Sequence, residues 1–129
     1  MICIVDTHAL VWFLEGNKRL SAVAQAALAD PHNQLVLPTL VLAEANHLYS
    51  RKRISVSASR MLSEVANAEN CTVYPLDENV AMRVSGELDI HDAIIVATAL
   101  VYRELSTDTV VVVTRDEAII RSGLVQTIW

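Results

Sequence analysis

The sequence predicts an α/β fold of three layers, with helices covering both faces of a central, mostly parallel five-stranded sheet. Two observations carry this prediction. Strand-like and helix-like segments alternate along all 129 residues, and the runs Ile2–Val5 and Val110–Val113 are continuously apolar. Continuous apolar strands are buried on both faces, as in parallel sheets flanked by helices. A length of 129 residues with 53% hydrophobic content fits one domain spanning residues 1–129.

The predicted elements alternate regularly, with bounds taken from apolar periodicity and turn signals. The first half has a strand at about 2–6, helices at about 7–15 and 20–30, a strand at about 34–37, and helices at about 38–52 and 56–69. The second half has a strand at about 71–75, helices at about 78–86 and 91–105, a strand at about 109–113, a short helix at about 116–121 and a strand near 125–128. Pro38 is predicted at a first helical position, where a missing N–H costs nothing.

The composition argues against a membrane protein, a secreted protein and a disulfide scaffold. The apolar runs are too short to cross a bilayer, and the first six residues lack the basic region and cleavage site of a signal peptide. A cytoplasmic location is therefore expected. Cys3 and Cys71 lie far apart in strand-like runs, which predicts buried thiols rather than a disulfide or a zinc site. With only three glycines, the chain has no glycine-rich phosphate loop.

Two acidic residues, Asp6 and Asp116, each follow an apolar strand-like run. In an open parallel sheet, ligands bind outside the carboxyl ends of the strands, so these two carboxylates are expected to converge there. Asp116 also has an ordinary alternative role, since it could simply cap the helix that begins near Glu117.

Two further acidic residues, Glu44 and Asp92, are expected to come from helices. Glu44 has apolar neighbours on both sides, and a Glu in such surroundings is seldom buried without a partner. Asp92 opens an apolar helical run, where a carboxylate meets the positive end of the helix dipole. Together with Asp89 it could be an ordinary helix-start acid. Taken with Asp6 and Asp116, these residues predict one carboxylate cluster that binds metal.

The net charge of −5 argues at first against a nucleic-acid partner, because phosphate binding normally leaves a basic footprint. Divalent cations on the acid cluster would reverse the sign locally, where a phosphate must dock. The basic triplet 51–53 could follow a nucleic-acid backbone or form a solvated helix end. His47, which completes a Glu-x-x-His spacing, is interpreted as incidental, and His91 as exposed.

Four segments carry a family resemblance through their order, spacing and setting: Ile4–Trp12, Thr39–Glu44, Asp89–Ala99 and Val113–Asp116. Together they resemble the motifs of PIN-domain ribonucleases, and specifically those of the VapC toxins of bacterial and archaeal toxin–antitoxin pairs. The resemblance runs end to end and implies a PIN-like fold. The third motif departs from the pattern, because Ile90 and Ala93 stand where family members often have Pro and Arg. Contacts made by that Arg are not expected here.

The resemblance implies a catalytic site formed by the acids of the four motifs: Asp6, Glu44, Asp92 and Asp116. Asp6, Asp92 and Asp116 are expected to bind metal directly or through water, with Glu44 as a ligand or as the residue that orients the attacking water. Oxygen-only ligands suit Mg²⁺ or Mn²⁺. Thr114 and Asp89 are expected to support this site from an outer position.

The implied function is hydrolysis of RNA phosphodiester bonds by a toxin whose partner is a cognate antitoxin protein. A homodimer is also expected, because family members often pair through helices and the mean hydropathy of +0.36 is high for a small monomer. Two alternatives stay open. A catalytically silent PIN-like module that binds RNA or protein would lack one of the acids, and a Mg-dependent phosphatase-like enzyme would need a second Asp in place of His8.

Overall fold

The computed structural model describes all 129 residues, Met1–Trp129. The strands are β1 (Ile2–Val5), β2 (Gln34–Pro38), β3 (Cys71–Tyr74), β4 (Val110–Val113) and β5 (Gln126–Ile128). The helices are α1 (Thr7–Glu15), α2 (Ala22–Ala29), α3 (Thr39–Ser50), α4 (Ala58–Asn67), α5 (Glu78–Ala81), α6 (Ile90–Leu105) and α7 (Glu117–Ser122). Apart from α5, every element begins and ends within two residues of its predicted position.

The five strands form one sheet in the order β3-β2-β1-β4-β5, and every neighbouring pair is parallel. The predicted three-layer α/β/α fold is confirmed, with a sheet that is wholly rather than mostly parallel. The chain proceeds outward from β1 through β2 to β3, then returns to the other side of β1 with β4. Such a reversal leaves a crevice between the carboxyl ends of the two strands at the switch point. Here those strands are β1 and β4.

The core includes the whole of the central strand β1 and of its neighbour β4. Every residue of β1 and β4 is buried, as their continuous apolar pattern predicts. Helix α6 packs against them and buries eight residues between Ala93 and Val101. Its first turn stays outside this core and carries Asp92 toward the crevice.

Helix α5 ends at Ala81, so the predicted helix at about 78–86 is wrong over its second half. The amides of Arg83 and Val84 bond only three residues back, which tightens and ends the helical turn. Ser85 and Gly86 follow, and both are poorer helix formers than Ala or Leu.

Pro38 ends β2 instead of beginning α3. Its backbone is extended, with φ −58° and ψ 138°, and it pairs in register with Tyr74 of β3. Helix α3 therefore begins one residue later, at Thr39.

Both cysteines are free. The prediction of buried thiols is confirmed for Cys3, whereas Cys71 is only partly buried because β3 lies at an edge of the sheet. Burial raises the pKa of both thiols. None of the helices is both long enough and apolar enough to cross a bilayer.

Some large apolar side chains stay exposed, most of all Met82 (84%), Leu105 (72%) and Ile90 (59%). Exposed apolar surface often marks an interface between proteins. These side chains are the natural candidates for the predicted self-association, which stays a prediction.

Candidate active site

A cleft of about 1080 Å³ opens where β1 and β4 end. Six acidic residues line it: Asp6, Glu15, Asp89, Asp92, Asp116 and Glu117. Three of the four motif acids, Asp6, Asp92 and Asp116, thus face one space, together with Asp89. Glu44 and Thr114 lie outside the lining. Thr114 donates a hydrogen bond directly to Asp6, whereas Glu44 is connected to the cleft through Thr7.

Asp6 is held by two hydrogen bonds at the end of β1. Its Oδ1 accepts from the backbone N–H of Thr7 at 2.6 Å, and its Oδ2 accepts from the hydroxyl of Thr114 at 2.6 Å. Burial raises the pKa of Asp6, while both hydrogen bonds favour the charged form and oppose that rise. Without a nearby cation, this carboxyl therefore holds its proton more readily than an exposed Asp does.

Thr114 connects the ends of β1 and β4. Its buried hydroxyl donates to Asp6 Oδ2 and accepts from the backbone N–H of Asp116 at 3.0 Å. One hydroxyl group thus connects the side chain of Asp6 to the backbone of Asp116, although the two residues are far apart in the chain.

Replacing Thr114 with Val should raise the pKa of Asp6 further, because the variant loses a hydrogen bond that favours the carboxylate. The free energy of unfolding should fall by about 1–3 kcal/mol, since a buried acceptor and a backbone donor lose their partner. Carbon-detected NMR titration of the Asp6 carboxyl measures the first effect. Thr114→Ser keeps the hydroxyl and serves as the control. An Asp6 pKa that is equal in the Val variant and the wild type would contradict this role.

Asp116 caps helix α7. Its Oδ1 accepts from the backbone N–H groups of Ala118 at 2.9 Å and Ile119 at 3.1 Å. The capping role and the position in the cleft are therefore compatible, because capping occupies only one of the two carboxylate oxygens. Oδ2 makes no hydrogen bond within the chain.

Asp92 lies in the first turn of α6, where its pKa is raised to about 6. Burial is the largest cause, followed by the negative charges of Asp116, Asp6, Asp89 and Glu44. All the motif acids thus act on one carboxyl group. Like charges gathered in this way disfavour ionisation unless a cation offsets them.

The metal-free protein should lose stability as the pH rises from about 4 to about 6, and Asp92→Asn should reduce this loss, leaving the part that is due to Asp6. The folded-state pKa lies above the ordinary value of 3.8, so the folded protein binds more protons in this window. The stabilisation that Asp92 contributes is complete below its unfolded-state pKa, and it disappears as the pH rises through its folded-state pKa. Because Asp92 is partly exposed, the expected size is only about 1 kcal/mol. Urea unfolding of both proteins in chelator measures it, and identical pH profiles would refute it.

Glu44 projects from the middle of α3 and is tied to the cleft through Thr7. Its Oε2 accepts from the Thr7 hydroxyl at 3.1 Å. Its Oε1 is buried without a hydrogen-bond partner and lies 3.6 Å from Nδ1 of His91. A buried oxygen without a partner is uncommon in native proteins and often marks a functional position. His91 itself is largely exposed, as predicted.

The acids fit a hard divalent cation by chemistry, although no three His, Cys, Asp or Glu side chains form a ready-made metal-binding group. All the donors are carboxylate oxygens, burial and then the neighbouring negative charges raise the pKa of Asp92, and Glu44 Oε1 lacks a hydrogen-bond partner. Mg²⁺ usually keeps several waters and takes only one or two carboxylates directly. Asp6, Asp92 and Asp116 could therefore hold such an ion partly through water.

The family model of the PIN domain matches residues 3–123. This chain belongs to the PIN domain family. No functionally curated protein matches its sequence.

Solved structures share this PIN fold. VapBC2 from Rickettsia felis, bound to a promoter DNA fragment, has 12% identity and a TM-score of 0.65 over 99% of this chain and 98% of that one. A toxin–antitoxin complex from Klebsiella pneumoniae has 18% identity and a TM-score of 0.64 over 98% and 96%. The PIN domain of RRP44 from T. brucei has 16% identity and a TM-score of 0.65 over 98% and 75%. At these identities the likeness concerns the fold.

The cleft of this PIN domain also contains residues that sequence analysis did not single out. The guanidinium of Arg115 lies over the ring of Trp12, 4.6 Å from its centroid, and that of Arg19 lies 5.8 Å from the same centroid. Of the basic triplet, only Arg53 lines the cleft. Thr7 and Trp12 fall within the first motif, but no pattern in the sequence assigns them these contacts.

Proposed function

We propose that this PIN domain is a metal-dependent ribonuclease that hydrolyses RNA phosphodiester bonds with Mg²⁺ or Mn²⁺. One observation carries the proposal. Asp6, Asp92 and Asp116, which are far apart in the chain, line one cleft at the switch point of the sheet. Their mutual repulsion makes the cluster unfavourable until positive charge arrives, and a bound cation in turn attracts a phosphate.

Asp6, Asp92 and Asp116 would hold the cation, directly or through water. When bound, the cation supplies Lewis acidity and positive charge at the phosphate, where negative charge builds up during hydrolysis. Thr114 favours the charged form of Asp6 by donating to it. Glu44 would serve as a further ligand or would orient the attacking water. Its Oε1 has no hydrogen-bond partner within the chain, but it is buried and lies outside the cleft lining. In-line attack on the phosphorus would then release the 3′-oxygen of the preceding nucleotide.

The test compares substrates. Purified protein is incubated in Mg²⁺ with a labelled single-stranded RNA and, separately, with a phosphomonoester. We expect internal cleavage of the RNA into fragments with 3′-hydroxyl ends, and no hydrolysis of the monoester. Release of phosphate from the monoester alone would favour the phosphatase-like alternative. RNA binding without any cleavage would favour a catalytically silent module.

We also propose that the chain acts as the toxin of a toxin–antitoxin pair. Two of the structures that share its fold are toxin–antitoxin complexes. A cognate antitoxin would place an Arg or Lys against Asp6, Asp92 and Asp116, where a cation is favoured. An apolar stretch of the same antitoxin segment would lie near Trp12 and Leu48, which line the cleft beside these acids, and would contact mainly Leu48 because Trp12 is only 5% exposed.

A short reading frame adjacent to this gene is the place to look for the antitoxin. Changing its basic residue to Ala should weaken inhibition, and excess Mg²⁺ should compete with it for the acids. Equally tight binding to a toxin variant that lacks Asp6 and Asp116, with no effect of Mg²⁺, would refute this mode of inhibition.

A further inference from the structure

The cleft has a second wall, made of arginine and aromatic side chains. Trp12 lies at its centre and contacts Trp129 edge-on, with 5.9 Å between the ring centroids. Arg115 lies over the Trp12 ring at 4.6 Å, and Arg19 is near the same ring at 5.8 Å. Trp12 is only 5% exposed, so a nucleobase has no access to its face. The accessible groups on this wall are the side chains of Arg115 and Arg19, which are both exposed, and Arg115 lies closer to the Trp12 ring.

Arg115 is unpaired in spite of its acidic surroundings. It adjoins Asp116 in the sequence, yet it forms no ion pair and no side-chain hydrogen bond with any residue. Four arginines outside the cleft do find such partners: Arg60, Arg83, Arg103 and Arg121. Arg19 and Arg53, which line the cleft with Arg115, share its lack of a partner, but Arg115 is the one that lies closest to the Trp12 ring. Stacking on an indole ring is a favourable alternative for a guanidinium, which is weakly hydrated and planar. Trp12 thus gives this cation a partner other than the carboxylates.

This arrangement separates the charges of the cleft. The acids keep their oxygens for a divalent cation, and Arg115 keeps its N–H groups for another anion. Guanidinium groups bind phosphate well, because their fork of donors matches the phosphate oxygens. The cleft volume of about 1080 Å³ is at the upper end for a small-molecule site. Its size therefore suits a segment of a strand better than a single phosphate.

We propose that Arg115, held in place by Trp12, binds an RNA backbone phosphate next to the phosphate that is cut. This inference rests on the proposed ribonuclease function and adds a substrate contact outside the acid cluster. Trp12 is a positioning residue in this arrangement, because it acts only through Arg115. The contact is with the backbone, so it should affect RNAs of different sequence equally.

The experiment measures how RNA binding depends on salt. Asp6→Asn serves as the background that prevents cleavage, and anisotropy of a labelled single-stranded RNA is recorded in Mg²⁺ over a range of salt concentrations. Arg115→Gln should reduce the slope of log Kd against log salt by about 0.7, which is the loss of one phosphate contact on a single strand. At about 0.1 M salt this corresponds to binding about fivefold weaker. Arg115→Lys should keep most of the slope.

Trp12→Leu should reduce the slope in the same way, because Arg115 loses the ring that holds it, whereas Trp12→Phe should largely keep it. If Trp12→Leu fails to fold, its melting curve will show it. The Trp12→Phe variant then still tests the role of the aromatic ring. Arg103→Gln is the matched control. It removes one positive charge in the last turn of α6, outside the cleft lining, and should leave the slope unchanged. It also removes a hydrogen bond to the carbonyl of Leu124, so its melting curve is compared as well.

The inference about Arg115 is overturned if the wild type cuts RNA in Mg²⁺ and Arg115→Gln has the same slope as Arg103→Gln. If the wild type cuts no RNA and the background variant binds none, the proposed function itself fails and the inference falls with it. The wild-type cleavage assay distinguishes the two cases.

Discussion

Replacing Asp6 or Asp116 with Asn is expected to lower the rate of RNA cleavage by about 10³-fold or more. Each amide keeps the shape of the carboxylate but loses the charge that would hold the cation. The fold should survive, because Asn caps helices as well as Asp does and Asp116 contributes only one oxygen to its cap on α7. In chelator, the Asp6 variant should be at least as stable as the wild type, since burial already disfavours the charged form.

Asp108→Asn is the matched control for this prediction. Asp108 is exposed in the turn before β4, so it lies at the amino end of that strand and the cleft lies at the carboxyl end. Its substitution removes the same carboxylate charge. It should cut RNA at the wild-type rate. Single-turnover rates in Mg²⁺ and urea unfolding in chelator separate catalysis from folding. A folded Asp116→Asn protein with the wild-type rate would exclude the acid cluster from the reaction.

Removal of divalent metal by a chelator is expected to stop RNA cleavage completely, and added Mg²⁺ or Mn²⁺ to restore it. The residues that line the cleft include no serine, cysteine or lysine that could serve as a nucleophile. The acids alone offer no Lewis acid for the phosphate. A cation that binds only the folded protein should also stabilise it, by about 2.7 kcal/mol at a concentration of 100 times its Kd. The same cation concentration should stabilise the Asp92→Asn variant less.

His8 is the control for metal dependence, because it is the one histidine that lines the cleft. A metal-free reaction would need such a group for acid–base catalysis. Undiminished cleavage in chelator that disappears in His8→Gln would therefore replace the metal mechanism with one based on His8. If the metal mechanism is right, His8→Gln should leave the metal requirement intact.

Much of the candidate site could be predicted from the sequence because it follows from strand ends. Asp6 and Asp116 come directly after strands that are apolar throughout, and such strands form a parallel sheet whose carboxyl ends share one edge. The position of Asp92 follows equally from its place in the first turn of an apolar helix. The end of α5 was harder to predict, because the loss of hydrogen bonds over a few residues produces little periodic signal.

The sequence by itself determined the α/β fold, the family and the strand-end positions of the main acids, because these depend on local apolar patterns and on residue order. Only the tertiary structure decided how the site is held together. Thr114 donates to an acid 108 positions away in the chain, and Arg115 stacks on Trp12 instead of pairing with the acids beside it. Such contacts depend on which strands become neighbours and on which way each side chain points. The spacing of residues in the sequence determines neither of these, so the contacts are established only when the chain packs.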